Sequence, residues 1–567
     1  MRTFLRSPPL LKRVSFDLLP SGIGGLCCAA LLARYGYKVT VLESHYLPGG
    51  AAHSFKIGGY SFDAGPSFFV GLSNEKGTSS NPLKQVLDAI DEPVPAKQYD
   101  RWIVYTQNGQ GEFGAFPCVA GREAYLENVE RQGGQRALEQ FLALEKEMAP
   151  LQQGAASFPA AAIRSDPGVL LTFARFLSPE LAATGLVANQ LTGPFSAVVD
   201  RVVSNRWLRA FLDLECFVLS GMTAKDTLCA EMAFMFLERN AGKSAIDYPM
   251  GGSKGVVDAL VRGIKKYGGQ IKLMSHVEEI IMENGKAAGV RVRNKRLKKE
   301  DTPGLEDADA VASTNGSSTS GAQAGSTGQV LRAKAGVISN ASVWDMLKLL
   351  PPQDVPQDWR QERAATPALD SFMHLHLGID ATGLPSDLEC HHLIINDLFG
   401  DLAAPHNVCI VSIPTVFDPK LAPPGKAVVH AYYAANEPYD LWKGMDTKSP
   451  EYKALKEERA EGLWQALEKV IPDIRKRAEL TLIGTPLTHE RFLNTHRGTY
   501  GPGISASESP GGWPGPKTPV PGLYVCGAST MPGIGVPAAA ASGMMCANTL
   551  ASPWQHLQLM DELVPKK

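Results

Sequence analysis

Two glycine-rich stretches, far apart in the chain, hold the residues best suited to grip a phosphorylated cofactor. Gly22 and Gly25 fill the second and third places of a G-x-G-x-x-G turn, Pro20-Ser-Gly-Ile-Gly-Gly25. The second glycine of such a turn lets backbone approach a pyrophosphate, and the third lets the next helix pack closely on its sheet. Glu43 stands about 20 residues further on, where a carboxylate accepts hydrogen bonds from ribose hydroxyls. Gly49 and Gly50 follow at once. Near the other end, Leu523–Cys526 runs into Gly527, where backbone can touch a phosphate, and then into the turn Gly533-Ile-Gly535-Val536.

Two other groups carry titratable side chains. His374 and His376 alternate, so on a strand both face one side, and His391 and His392 follow. No carboxylate or cysteine completes a ligand set, so no metal site is expected and these read as pocket or core histidines. Thr488-His-Glu-Arg-Phe492, with His496, Arg497 and Tyr500, lies just ahead of the second glycine-rich stretch. It reads either as a salt-bridged surface element or as lining for a substrate tunnel. No catalytic acid or base is assigned.

Positioning these residues requires a βαβ unit at the start. Leu26, Ala29, Ala30 and Leu31 suit a buried helix, Gly36 a left-handed C-cap, and Lys38–Leu42 a strand ended by Glu43. Two features count against it. Pro20 takes the first glycine's place and offers no amide hydrogen, and Asp17 interrupts the apolar run of the first strand. At the far end, Pro537 opens an alanine-rich helix, where its missing N–H costs nothing. Between them come Tyr248-Pro-Met-Gly-Gly252, a helix over 255–267, strands at 270–273 and 277–282, and a hairpin-like pair at 288–292 and 330–338. Residues 300–328, rich in Ser, Thr, Gly, Ala and Asp without apolar periodicity, read as a disordered insertion at that hairpin's tip. The basic run 291–299 reads as a solvated strand end.

With 567 residues, two or three domains are expected. A net charge of −2 leaves no basic footprint for nucleic acid. No apolar run reaches the roughly 18 residues of a membrane span, which leaves peripheral contact open. For such contact 169–177 is a monotopic helix candidate, its alternative being a buried helix. The nine cysteines form no C-x-x-C pair and read as buried, reduced thiols. The segment Met1–Arg13 carries four basic and no acidic side chains and reads as an organellar presequence or a mis-assigned start.

SGIGGLCCAALLARYGYKVTVLE, LPGGAAHSF, YSFDAGPSFF, YPMGGSKGVVDAL, VISNASVWD and GLYVCGASTMPGIGVPAAAASG together resemble the carotenoid isomerase and phytoene desaturase group of FAD-dependent oxidoreductases. The resemblance covers nearly the whole chain apart from Met1–Arg13 and the insertion. It implies an α/β fold: a Rossmann-like, glutathione-reductase-like FAD-binding domain from 1–95, 246–361 and 485–556, with a discontinuous α+β substrate domain from 96–245 and 362–484. It implies that Gly22, Gly25, Glu43, Gly49 and Gly50 contact FAD phosphates, ribose and ring. Val277 would bracket the adenine through its backbone, and Gly527, Gly533, Gly535 and Val536 would meet pyrophosphate and flavin. Ala528 stands where many members of the group have an aspartate. The implied substrate is an apolar carotenoid polyene, isomerised cis to trans by reduced flavin in a plastid, at a membrane surface. Desaturation or saturation, and a non-catalytic carotenoid- or flavin-binding role, are the alternatives. No second glycine-rich βαβ unit offers an NAD(P)H site, and the electron donor or acceptor is not assigned.

Overall fold

The opening strand, Ser15–Leu19, lies in the middle of a five-stranded parallel sheet. The order is Gln270–Lys272, Lys38–Leu42, Ser15–Leu19, Gly336–Ser339, Leu523–Val525. The structure is a computed structural model that describes residues 15–157, 159–175, 188–240, 246–295, 328–509 and 511–563. The basic N-terminus, the end of the basic run 291–299 and all but the last residue of the insertion lie outside that set.

Asp17 does not break the strand. Its carboxyl is buried and Oδ2 has no partner among the described residues, so desolvation pushes the group up to about 6. The ladder survives because a parallel pairing uses main-chain groups, whatever side chain they carry. Pro20 lies just beyond the paired residues, where a missing N–H removes no ladder bond. Gly22 still reaches the N-cap of the opening helix, Ile23–Arg34, whose residues 23–33 are all buried.

The expected strand 330–338 is two strands. Gln329–Arg332 pairs antiparallel with Lys286–Asn294, whereas Gly336–Ser339 turns into the parallel sheet. Gly336 permits the passage: it sits at φ +154°, and a Cβ there would collide with the Gly522 carbonyl oxygen.

A second, seven-stranded sheet draws Arg101–Gln107 and Phe113–Val119 together with five strands between residues 371 and 484. Neighbours are antiparallel except His391–Ile395 beside Arg101–Gln107. Alternation sorts its side chains to two faces. Met373, Leu375, Leu377 and Tyr433 pack under the helix Pro450–Val470 with Leu463 and Leu467. Tyr432, Ile410 and Leu393 face the helices Arg206–Ser220 and Cys229–Asn240. All nine cysteines are buried and unpaired.

Candidate functional site

The two glycine-rich stretches meet at the C-terminal edge of the parallel sheet. The opening helix crosses the closing helix, Val536–Leu550, so tightly that a Cβ on Gly543 would collide with the Gly24 carbonyl oxygen. A Cβ on Gly24 would come 2.7 Å from the Gly527 Cα, and one on Gly50 2.9 Å from the Gly22 Cα. Gly49 forms a lone parallel bridge with Gly22, and its N–H donates to the Ser21 carbonyl at 3.0 Å. Gly22, Gly49, Gly50 and Gly527 are thus one cluster, closed by the Asn340 side chain, whose amide abuts Gly22, Gly24 and Gly527. Gly25 lies further inside the helix and is buried.

Glu43 ends its strand beside this cluster. One carboxylate oxygen accepts from the Ser21 N–H at 2.8 Å and hydroxyl at 2.6 Å; the other accepts from the His45 N–H at 2.7 Å. The second oxygen, with a single bond, retains a lone-pair site, whereas the first already accepts two. Val277 lies on the far side of Glu43, just after Ser275, whose N–H donates to the Glu43 carbonyl at 2.7 Å. The turn Gly533–Val536 lies at the other extreme. Gly533 at φ +128° rests against Trp513, Gly535 at φ +100° is the closing helix's N-cap, and Val536 is its first residue. The Gly527 N–H donates to the Ser542 hydroxyl at 3.0 Å, and the Thr530 hydroxyl donates to the Gly527 carbonyl at 2.9 Å. The predicted residues therefore run in a line from Val277 through Glu43 and the glycine cluster to Val536.

Among the described residues, neither helix that ends at this line has a side-chain cap. The first-turn N–H groups of both therefore lack a capping acceptor, and each helix end is electropositive. Two uncapped helix N-termini with glycine backbone between them and a carboxylate at one end suit a dinucleotide such as FAD: pyrophosphate at the helix ends, ribose at Glu43. Spacing along the chain does not single out Asn340, Ser21, Gly24 or Ser542. Only the VISNA segment signals Asn340, and nothing local signals the others.

Beyond Gly533–Val536 lies a wall of rings. Tyr500 packs on Phe372, Phe372 on His374 and His489, and His374 on His376 and His430. His489 and Tyr500 from the 488–500 stretch thus turn inward, while Arg497 pairs with Asp440 at the surface. His391 joins a neighbouring stack with Phe68 and Tyr99. A Cβ on Gly221 would touch both Tyr500 and Leu369, so the end of the helix Arg206–Ser220 closes on the same place. Desolvation holds these imidazoles neutral: His376 falls to about 4 and His391 and His489 to about 3. Burial alone pushes Glu231 up to about 8, so it keeps its proton at neutral pH. The rings of the wall are aromatic or imidazole, and the charge of Glu231, when ionised, is felt at Tyr500.

A family model described as flavin containing amine oxidoreductase matches residues 23–551. The chain is 31% identical over 559 residues to prolycopene isomerase 1, chloroplastic, of an Oncidium hybrid cultivar, covering 94% of this chain and 83% of that one. It is 29% identical over 551 residues to the Arabidopsis thaliana prolycopene isomerase, chloroplastic, at 94% and 82% coverage. With the all-trans-retinol 13,14-reductase of Danio rerio it shares 26% over 596 residues, at 97% and 88% coverage. Two solved structures speak to the fold alone. A Methanosarcina mazei oxidoreductase superposes with a TM-score of 0.54 at 19% identity, covering 94% of this chain and 99% of that one. A putrescine oxidase bound to putrescine gives 0.54 at 13%, covering 94% and 98%.

Proposed function

Because the chain belongs to the flavin containing amine oxidoreductase family and is an FAD-dependent enzyme, we propose that it isomerises a carotenoid-type polyene from cis to trans. The observation that carries this reading is the near-full-length likeness to prolycopene isomerases of two plants. The aromatic ring wall supports it, since a polyene offers no polar handle and is recognised by apolar contact along its length.

In this reading Gly22, Gly49, Gly50 and Gly527 lend backbone to the pyrophosphate, and Gly25 seats the opening helix on its sheet. Glu43 takes the ribose, Val277 flanks the adenine, and Gly533, Gly535 and Val536 border the isoalloxazine. Residues 1–95, 246–361 and 485–556 form the FAD-binding domain, and 96–245 with 362–484 the substrate domain. When bound, reduced FAD would supply electron density or hydride toward a conjugated double bond. The chain's residues shape that place: Phe372 and Tyr500 present packed ring faces that exclude water. The closing helix directs its electropositive end at the flavin edge where negative charge gathers.

The protein works in a plastid, as its plant relatives' names indicate for them, at a membrane that holds the substrate. No helix among the described residues is long and apolar enough to cross a membrane. Docking falls instead to Leu170, 71% exposed, and Trp554, 68% exposed, on two helices in contact.

Purified protein loaded with FAD and reduced with dithionite should redistribute the isomers of a poly-cis carotene without changing its mass. An unchanged chromatogram from flavin-bound protein would defeat the proposal. A mass change of one hydrogen pair would instead favour the saturase or desaturase reading, to which the retinol reductase likeness points.

A further inference from the structure

On the sheet strand Ser371–Asp380, His374 and His376 face the same side, and strand pairing places His430 directly opposite His376. Each offers one ring nitrogen, and those three nitrogens lie within 4.8 Å of one another. All three residues are buried, at 2%, 6% and 3% exposure. We propose that His374, His376 and His430 form a binding site for a divalent metal ion of the Zn²⁺ class. The site does not depend on flavin or polyene.

Three observations converge on it. First, His376 Nε2 lies 3.0 Å from the Asp63 carbonyl oxygen. A carbonyl only accepts, so Nε2 carries the proton and Nδ1 keeps a bare lone pair. A backbone carbonyl that fixes the outer nitrogen of an imidazole is the usual support of a metal-bound histidine. Second, His374 Nε2 is buried with no partner among the described residues, and such an orphan in a well-packed interior calls for an unseen ligand. A flip of that ring presents either nitrogen to an ion. Third, the donors sit on two paired strands rather than on loops, so their backbones are held.

The geometry is near that of a bound ion without being collapsed onto one. His374 Nδ1 and His430 Nε2 share a hydrogen bond at 2.7 Å, and the rings of His376 and His430 are parallel to within 9°. Zn–N bonds of about 2.0–2.1 Å put tetrahedral donors about 3.3 Å apart. The hydrogen-bonded pair must therefore open slightly and the rings must turn. Rotation about the imidazole Cβ–Cγ bond is soft, and strand positions need not change. Three nitrogens fill three of four tetrahedral places and leave the last to water or hydroxide. Neutral nitrogen donors with no thiolate or carboxylate select Zn²⁺ and its neighbours over Ca²⁺ or Mg²⁺.

The test uses the full chain with its flavin, first stripped with a chelator. Titrated with Co²⁺, it should take up one ion per chain with the visible d–d bands of a low-coordinate nitrogen site, and Zn²⁺ should compete those bands away. X-ray absorption at the zinc edge should show imidazole nitrogens at about 2.0–2.1 Å. His430→Ala should weaken uptake on the order of a hundredfold. His391→Ala should leave it unchanged, because that imidazole bonds Ser412 instead. Should His430→Ala fail to fold and retain flavin, the absorption spectrum of the unaltered protein decides. No uptake, a shell dominated by oxygen, or full affinity in a folded His430→Ala protein would overturn the site and leave the pair as a shared proton.

Discussion

Asp17 is the residue most at odds with its surroundings. It lies in the central strand of a sheet covered on both faces, and its carboxyl is raised to about 6 from an unfolded value near 3.8. At pH 7 the unfolded chain ionises this group freely and the folded chain does so only against desolvation. Its presence therefore costs on the order of 3 kcal/mol at neutral pH. Asp17→Val should raise the thermal unfolding midpoint at pH 7, since a β-branched apolar residue suits a buried parallel strand. The advantage should shrink as pH falls below 6 and vanish below about 4, where both states of the wild-type group are protonated. A gain that did not vary with pH would show that the carboxyl's charge is not the cause.

Among the elements, the helix Val169–Ala174 departs most from a core segment. The alternative of a buried helix gives way to an exposed one: Leu170, Leu171 and Phe173 are 71%, 45% and 37% accessible, while Thr172 is buried. It lies against the helix Pro553–Leu563, which carries Trp554 and whose Asp561 pairs with Arg175. Two touching helices thus expose four large apolar side chains, a composition that suits a lipid interface. Replacing both Leu170 and Trp554 by Glu should leave folding and flavin content intact, because neither side chain is in the core. Co-sedimentation with lipid vesicles should fall at least tenfold, each buried apolar side chain being worth about 1.5–3 kcal/mol. Unchanged sedimentation would exclude this face as the docking surface.

For the whole molecule, the dominant electrostatic feature is its store of neutral buried imidazoles. His392, His406 and His556 are lowered to about 4, and His45, His391 and His489 to about 3, burial being the first cause in each. Below pH 6.5 the unfolded chain binds protons at these sites and the folded chain does not. Stability is therefore complete above about pH 6.5 and falls as pH drops toward 4 and 3, by up to about 1.4 kcal/mol per pH unit for each fully buried ring. Asp17 and Asp63, raised to about 6, and Glu231, raised to about 8, act in the opposite sense but are fewer. Thermal midpoints measured from pH 7 to 4 should decline steadily. A flat profile across that range would mean that the rings are hydrated or already charged.

Local chemistry decided much of this protein in advance. Glycine turns, a short β-branched strand ending in Glu43, and a Pro-capped alanine-rich helix each declare themselves within a short stretch of sequence, because φ freedom, side-chain size and helix capping act over one or two turns of chain. Other features were decided by contacts between distant segments. Main-chain pairing kept Asp17 in a central strand despite its side chain. A close passage at Gly336 divided one apolar run between two sheets. The Gly24–Gly543 crossing and the Asn340 closure depend on backbones from opposite parts of the chain. The histidine trio shows the limit most directly. His374 and His376 announce a shared face by alternation, but their third partner, His430, is supplied by the register of an antiparallel strand pair, which spacing along the chain does not encode.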